Sequence, residues 1–320
     1  MAVQLLTGTS FRLYDPDVVQ HAMERAEGPQ AESQKRAYRR MLEHGPDRFV
    51  AAPADEDDLD VVARTSPNFA GVVEDLANHV ALAAVREGGF HLSPILLAGD
   101  PGVGKTHFAK SLAKALGLTF EFISMGTLSA NWVLSGSAPT WQGARYGKIA
   151  GTLIESQFAN PLFLLDELDK TGGDSRFDPY GALLQLMEQD TASHFRDEYL
   201  DVPLDMSKVV YVGTANSLDS IPDFILSRMT VYEVPAPTPE EARVIANNIY
   251  TRLRAQHRYP FPPDLEEDTL DVLQKVAPRE MGKRILDGMA ATVRAKADRL
   301  TPARVCSSHE RGHRTMGFIG

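Results

Sequence analysis

A parallel α/β domain with helices on both faces, followed by a small all-helical domain, is the fold class this sequence predicts. Three observations carry it. Between Asn68 and about Pro235, strand-like apolar runs alternate with helical stretches: "PILLA", "TFEFIS", "PLFLLD", "KVVYVGT" and the shorter "TVYEV". Such alternation is the mark of a parallel sheet whose crossovers are helices. The first run passes directly into a glycine-rich loop and then a helix, and after Pro237 the pattern becomes purely helical.

Each segment can be justified in chain order. Before about residue 65 the composition is polar, with short helical patterns at Val18 to Arg25 and Glu32 to Glu43, then the acidic run "ADEDDLD". Residues 1–65 are read as a helical appendage and a solvated linker. The basic cluster "QKRAYRR" at Gln34 to Arg40 is read as one solvated face of a helix. Residues 66–235 form the large α/β domain, and 236–302 a helical lid. The lid opens with "TPEEARVIANNIYTRL", where Thr238 caps, Pro239 takes the first helical position, and Glu241 completes a capping box. Ile245, Ile249 and Leu253 then share one face. Further helical stretches follow near Glu266 to Val276 and Arg279 to Leu300, and 303–320 is read as a polar tail.

Bulk properties narrow the function. The 320 residues and 43% hydrophobic content suffice for about two ordinary cores. No apolar run reaches the roughly 18 residues a membrane helix needs, and the first residues lack the pattern of a signal peptide, so the expected compartment is the cytoplasm. A lone Cys306 agrees with a reducing environment. The net charge of -10 argues against a generally basic surface for nucleic acid, although a local basic groove stays open as an alternative.

The chemistry is concentrated in three strand ends. "GDPGVGKTH" places Gly99, Asp100, Pro101, Gly102, Val103, Gly104, Lys105, Thr106 and His107 after an apolar strand and before a helix, in G-x-x-x-x-G-K-[ST] spacing. Glycines allow a loop to wrap backbone N–H groups around phosphates, and the helix start adds a favourable dipole. Lys105 is expected to reach the terminal phosphates and Thr106 to ligate magnesium, which makes the domain a phosphate-loop (P-loop) NTPase fold with ATP and Mg2+ as ligands. "NPLFLLDELDK" ends a strand in Asp166 and Glu167. Adjacent carboxylates suit a cation, with Asp166 on the metal and Glu167 orienting the attacking water. "KVVYVGTAN" delivers Asn216, a neutral group suited to positioning the same water. Arg228 in "ILSRMT", and Arg279 and Arg284 in the lid, are arginines that could stabilise a transferring phosphoryl group.

One tail motif points elsewhere. "HERGH", His309 to His313, spells the H-E-x-x-H zinc pattern. Gly312 interrupts it and no apolar face anchors it, so it is read as tail rather than as a catalytic metal site.

From about Asn68 to Leu300 the sequence resembles AAA+ ATPases and, among them, the ATPase module of Lon proteases. The likeness rests on "GDPGVGKT", "NPLFLLDELDK", "ALLQLMEQDTASHFRDEYLDVPLDMSKV" and "TANSLDSIPDFILSRM". This resemblance implies that Asn216 senses the terminal phosphate, that Arg228 is a finger reaching the next subunit's nucleotide, and that Arg284 is the lid sensor. It also implies a homo-oligomeric ring, usually of six subunits. In Lon-like rings the loop corresponding to "GSAPTWQGARYGK" lines the pore, which makes Trp141, Gln142 and Gly143 the expected grip on an extended polypeptide. Trp141 and Gln142 stand where the family carries a tyrosine and an aliphatic residue, and Tyr146 is a weaker candidate. The proteolytic half of Lon is not expected here, so a separate protease is a possible partner. The expected function is an ATP-driven ring that remodels a protein; a nucleic-acid motor and a nucleotide-gated switch are the alternatives.

Overall fold

The computed structural model describes residues 10–51, 57–84, 92–128, 132–171, 179–257 and 259–310. Contacts divide the chain into two compact units. One comprises Met1–Leu59, Glu74–Ala98 and Ala109–Glu233; the other comprises Asp60–Val73, Gly99–Phe108 and Val234–Gly320.

The strands, in chain order, are β1 (Ser10–Arg12), β2 (Asp47–Phe49), β3 (Ile95–Ala98), β4 (Phe120–Ser124), β5 (Leu162–Asp166), β6 (Phe195–Arg196), β7 (Pro203–Leu204), β8 (Val210–Ala215) and β9 (Thr230–Glu233). The first unit is built on a five-stranded sheet in the order β4-β5-β8-β3-β9, with every neighbouring pair parallel. These are the five runs read as strands from sequence. Strands β3, β5 and β8 are buried along nearly their whole length, as expected where helices cover both faces of a parallel sheet. Because the strands are parallel, their carboxyl ends, Ala98, Asp166 and Ala215, fall on one edge of the sheet. In open α/β sheets that edge is where ligands bind.

The amino-terminal segment departs from its reading as an appendage. Leu13, Tyr14, Val19, Ala37, Tyr38 and Met41 are buried in the same hydrophobic cluster as Phe163, Leu165 and Tyr211 of the sheet. The Tyr38 hydroxyl donates to Leu200 O at 2.6 Å and Gln34 Nε2 donates to Tyr199 O at 2.7 Å. Arg48, 2% exposed, caps the carbonyls of Leu153 and Ile154, and Asn160 closes a two-bond ring with the backbone of Ala51. The packing stripe is thin, one or two apolar residues per helical turn, so average composition looked like that of a linker. The helix Ala31–His44 does turn its basic residues outward. Arg36, Arg39 and Arg40 are exposed, and Arg40 pairs with Glu155 at 2.6 Å. Of the acidic run, Asp57 to Asp60 open the helix Asp57–Thr65, and residues 54–56 lie outside the described residues.

The lid helices follow the sequence patterns. Helix Pro239–His257 begins with the reciprocal capping box, Thr238 N to Glu241 Oε2 at 2.8 Å and Glu241 N to Thr238 Oγ1 at 3.3 Å. Its buried residues Ala242, Ile245, Ala246 and Tyr250 join Leu270, Leu273, Met281, Ile285 and Met289 from the next two helices, Glu267–Leu273 and Pro278–Arg294. Residues 303–310, read as the start of a polar tail, instead belong to the helix Pro302–Glu310, whose Val305 is fully buried in this core. A single apolar residue gave too little periodicity to show it. Arg311 to His313 of the HERGH motif lie outside the described residues, and among those described no group of three or more His, Cys, Asp or Glu side chains gathers to hold a metal. Among the described residues no helix is long and apolar enough to cross a membrane.

Candidate functional site

The phosphate loop belongs to the second unit, and its backbone shows why glycine is required. Gly99, Gly102 and Gly104 have φ of 157°, 90° and 107°. A Cβ on Gly99 would sit 2.3 Å from Val234 O, so both the dihedral and the space exclude a side chain there. The Lys105 ammonium lies over the loop, donating to Gly99 O at 2.5 Å and Asp100 O at 3.1 Å. Asn68 Nδ2 supports the loop from behind by donating to Val103 O at 3.2 Å, and Phe69 stacks on Phe108 with ring centroids 4.2 Å apart. Thr106 and His107 open the following helix on its exposed side, and Arg252 Nη1 lies 2.8 Å from His107 Nε2. In the lid, the Arg279 N–H donates to Gly102 O at 3.3 Å, and Arg284 is held by Glu280 at 3.2 Å, one turn back on the same helix.

The first unit carries the acidic strand end. Asp166 closes β5 and Glu167 follows in the left-handed region, φ 58° and ψ 51°. A bulky residue there is strained and persists only where its surroundings hold it. The holding group is Thr214 on the neighbouring strand β8. Its hydroxyl donates to Asp166 Oδ1 at 2.8 Å and accepts the Glu167 N–H at 3.0 Å, so one buried oxygen fixes both acidic residues. Lys170 pairs with the Glu167 carboxylate, and that hydrogen bond raises the Lys170 pKa. Asn216 is half-buried just past the end of β8. The sequence reading missed Thr214. Its only signal was a hydroxyl inside the otherwise apolar run of β8, two residues before Asn216.

Arg228 sits just beyond the short helix Asp223–Leu226 and is paired within its own chain. Its Nε donates to Glu188 Oε1 at 2.6 Å and its Nη1 to Phe224 O at 2.6 Å.

The aromatic loop, residues 136–147, also belongs to the first unit. Trp141 is 51% exposed and meets Trp132 edge-on, with ring centroids 6.1 Å apart. Gln142 and Gly143 are exposed beside it, and Gly143 has φ 79°. Tyr146 faces inward against Tyr199, with ring centroids 6.3 Å apart, and is a packing residue.

A parallel sheet with a glycine-rich phosphate loop after one strand, an acidic pair ending a second and a polar residue after a third defines a phosphate-loop nucleoside triphosphatase. Residues 95–235 match the ATPase family associated with various cellular activities (AAA), so the chain carries an AAA ATPase domain. Beyond the family match it is similar to Lon proteases. It is 39% identical over 208 residues to peroxisomal Lon protease homolog 2 of Spinacia oleracea, covering 64% of this chain and 23% of that protein. It is 35% identical over 249 residues to Lon protease 2 of Herpetosiphon aurantiacus, covering 73% of this chain and 29% of that one. The chain thus spans about a quarter of the length of these relatives. Among solved structures, the Thermotoga maritima RuvB Holliday junction branch migration motor matches with a TM-score of 0.51 at 18% identity, over 75% of this chain and 68% of that one, a likeness of fold. The AAA domain and its Lon relatives support ATP hydrolysis.

Proposed function

We propose that this protein is a magnesium-dependent ATPase that assembles as a homo-oligomeric ring of six subunits and uses ATP to unfold or move a polypeptide held by Trp141. The observation that carries the ATPase half is the Thr214 hydroxyl, which fixes the Asp166 carboxylate and the Glu167 backbone together. A group meant to orient a water must itself be oriented, and a hydroxyl shared between two backbone-anchored residues does that. Glu167 is the general base that aligns the attacking water, with Asn216 as its neutral partner. Lys105 binds the terminal phosphates through its ammonium, and the N–H groups of Gly102 to Thr106 present the loop's positive dipole to them. Thr106 and Asp166 offer the hydroxyl and carboxylate oxygens that suit magnesium, which when bound neutralises phosphate charge. Arg228 acts on a neighbouring subunit's nucleotide and Arg284 on its own, roles supported by the family likeness.

The polypeptide half rests on Trp141, a half-exposed indole at the tip of a glycine-bounded loop. Aromatic rings hold unrelated side chains by apolar contact, which a threading motor needs. A nucleic-acid motor is less favoured. The net charge is -10, and the exposed basic helix keeps Arg40 in an ion pair. A separate protease is the natural downstream partner, and a reducing compartment such as the cytoplasm suits the lone Cys306.

The test is steady-state phosphate release with and without an unfolded polypeptide or single-stranded DNA. Glu167→Gln is expected to bind ATP and lose hydrolysis by about 10²–10³-fold. Polypeptide is expected to stimulate the wild type, and Trp141→Ala to abolish that stimulation. Stimulation by DNA alone overturns the substrate assignment, and normal turnover in Glu167→Gln overturns the mechanism.

A further inference from the structure

The loop that carries Trp141 is closed at its neck by a carboxylate from another part of the chain. Asp197 follows β6 and opens the turn to β7, the two strands of an antiparallel hairpin. It is fully buried. One oxygen, Oδ2, accepts the Gly147 N–H at 2.6 Å, while the other, Oδ1, accepts the N–H groups of Tyr199 at 2.9 Å and Leu200 at 3.2 Å. Gly147 is the last residue of the loop. At the loop's other end Gly136, with φ 78°, lies so close that an added Cβ would be 2.4 Å from Asp197 Oδ1. The Glu198 N–H donates to Ser135 O at 2.8 Å, and Tyr199 braces Tyr146, so the hairpin grips both limbs of the loop. A second brace inside the loop joins Ser137 and Arg145.

We propose that Asp197 is the positioning residue of the Trp141 loop, clamping its neck at Gly136 and Gly147 so that loop and hairpin move as one piece and present the indole at a fixed height. The proposal rests on the reading of Trp141 as the substrate grip. It accounts for an otherwise unused feature, a buried charge without an ionic partner among the described residues, whose hydrogen bonds go to backbone. The bonds also divide by role. Oδ1 serves the hairpin's own turn, and Oδ2 serves the loop.

That division gives the clamp a proton-dependent release. Burial pushes the Asp197 carboxyl up to about 6, against the three backbone hydrogen bonds that oppose the rise. The ionisable groups acting with it are Glu198, its chain neighbour, and the Tyr38 phenol. A proton on Oδ1 would displace two N–H donors, whereas one on Oδ2 displaces only Gly147. Protonation therefore unties the loop and leaves the hairpin turn intact. Asp197→Asn reproduces this state, because its amide oxygen serves Tyr199 and Leu200 while its NH2 group faces the Gly147 N–H.

The experiment uses the full chain in a Trp132→Phe background, which leaves Trp141 as the only one of the 2 tryptophans. Acrylamide quenching of Trp141 is measured from about pH 8 down to about pH 5, with and without Asp197→Asn. At the upper pH, Asp197→Asn is expected to raise the quenching constant at least about twofold, with unchanged far-UV circular dichroism. Without it, quenching is expected to rise to the same level with a midpoint of about 6, and with it to be flat. Equal quenching in both proteins at about pH 8 overturns the proposal. If Asp197→Asn does not fold, the pH profile of Trp132→Phe decides, and a flat profile overturns it. In parallel, polypeptide stimulation of ATP hydrolysis is measured for Trp141→Ala. Stimulation surviving in Trp141→Ala sinks the grip reading but not the clamp; quenching unmoved by Asp197→Asn while Trp141→Ala loses stimulation sinks the clamp alone.

Discussion

Two glycine-bounded loops of this chain are each read as closing on an anion, and they differ in where the anion comes from. The phosphate loop, residues 99–104, is proposed to close around phosphates brought by the substrate, and in the protein itself Lys105 lies over its carbonyls. The Trp141 loop closes on Asp197, an anion built into the chain. A loop that waits for its anion must hold its shape unaided, so its constraint lies in the dihedrals and close backbone approach of Gly99. A loop that carries its own anion can be set, and released, by that group. The first arrangement suits binding and the second suits positioning.

The largest expected effect separates the two anions by readout. Lys105→Ala removes the cation for the incoming phosphates, and ATP hydrolysis is expected to fall by about 10²–10³-fold, with a parallel loss of nucleotide affinity. Two of the ammonium's partners are the loop carbonyls of Gly99 and Asp100, and any loss of thermal stability should be small beside the loss of activity. A variant that loses its fold along with its activity would show that Lys105 is needed to shape the loop as well.

Asp197→Ala is the counterpart and should act on stability. It strands the N–H groups of Gly147, Tyr199 and Leu200 in a buried site, and a loss of about 3 kcal/mol is expected in chemical denaturation. The pH dependence has a definite sign. The folded-state pKa, about 6, lies above the ordinary aspartate value of 3.8, so the folded protein binds the proton first. The ionised carboxylate is therefore a burden above about pH 6, and this group's contribution to stability improves as pH falls from there toward 4. Asp197→Asn should remove that slope. A slope that survives the substitution belongs to other groups.

The two loops were also unequally legible in the sequence. The phosphate loop could be read because its chemistry is local: the glycines, Lys105 and Thr106 lie within eight residues, between a strand and a helix that each have their own periodicity. Asp166, Glu167 and Asn216 were readable as polar residues ending apolar strands. Thr214 was not, because its meaning comes from the β5–β8 register that sets it beside Asp166. Asp197 lies 50 residues from Gly147, and in sequence it is one acidic residue among several in "FRDEYLD". The amino-terminal segment was misread for the same reason. Tyr38 and Gln34 look like surface residues of a basic helix until Leu200 and Tyr199 arrive from more than 160 residues away. Trp141 was found through family resemblance, not through any local pattern.

Glycine substitutions sharpen the comparison further. Gly99→Ala meets both obstacles at once, φ 157° and a backbone oxygen 2.3 Å from the new Cβ, and an ordinary rotamer change cannot relieve a backbone contact. A loss of about 3 kcal/mol, with ATP binding lost as well, is expected. Full ATP affinity in a folded Gly99→Ala protein would mean that the loop reaches its binding shape by another route.

The smallest effect belongs to Gly143→Ala. Gly143 has φ 79°, yet an added Cβ would meet nothing within 4 Å among the described residues, so the left-handed dihedral is what opposes the change. The expected cost is about 1 kcal/mol, read as a small fall in Tm of the isolated subunit. Because the position lies two residues from Trp141, the same substitution also probes the proposed ring. A loss that stays near 1 kcal/mol on assembly with ATP leaves the loop tip uncovered, as a pore-facing grip requires. A loss that grows severalfold on assembly would place a neighbouring subunit against the tip, and Trp141 would then be an interface residue rather than a substrate grip.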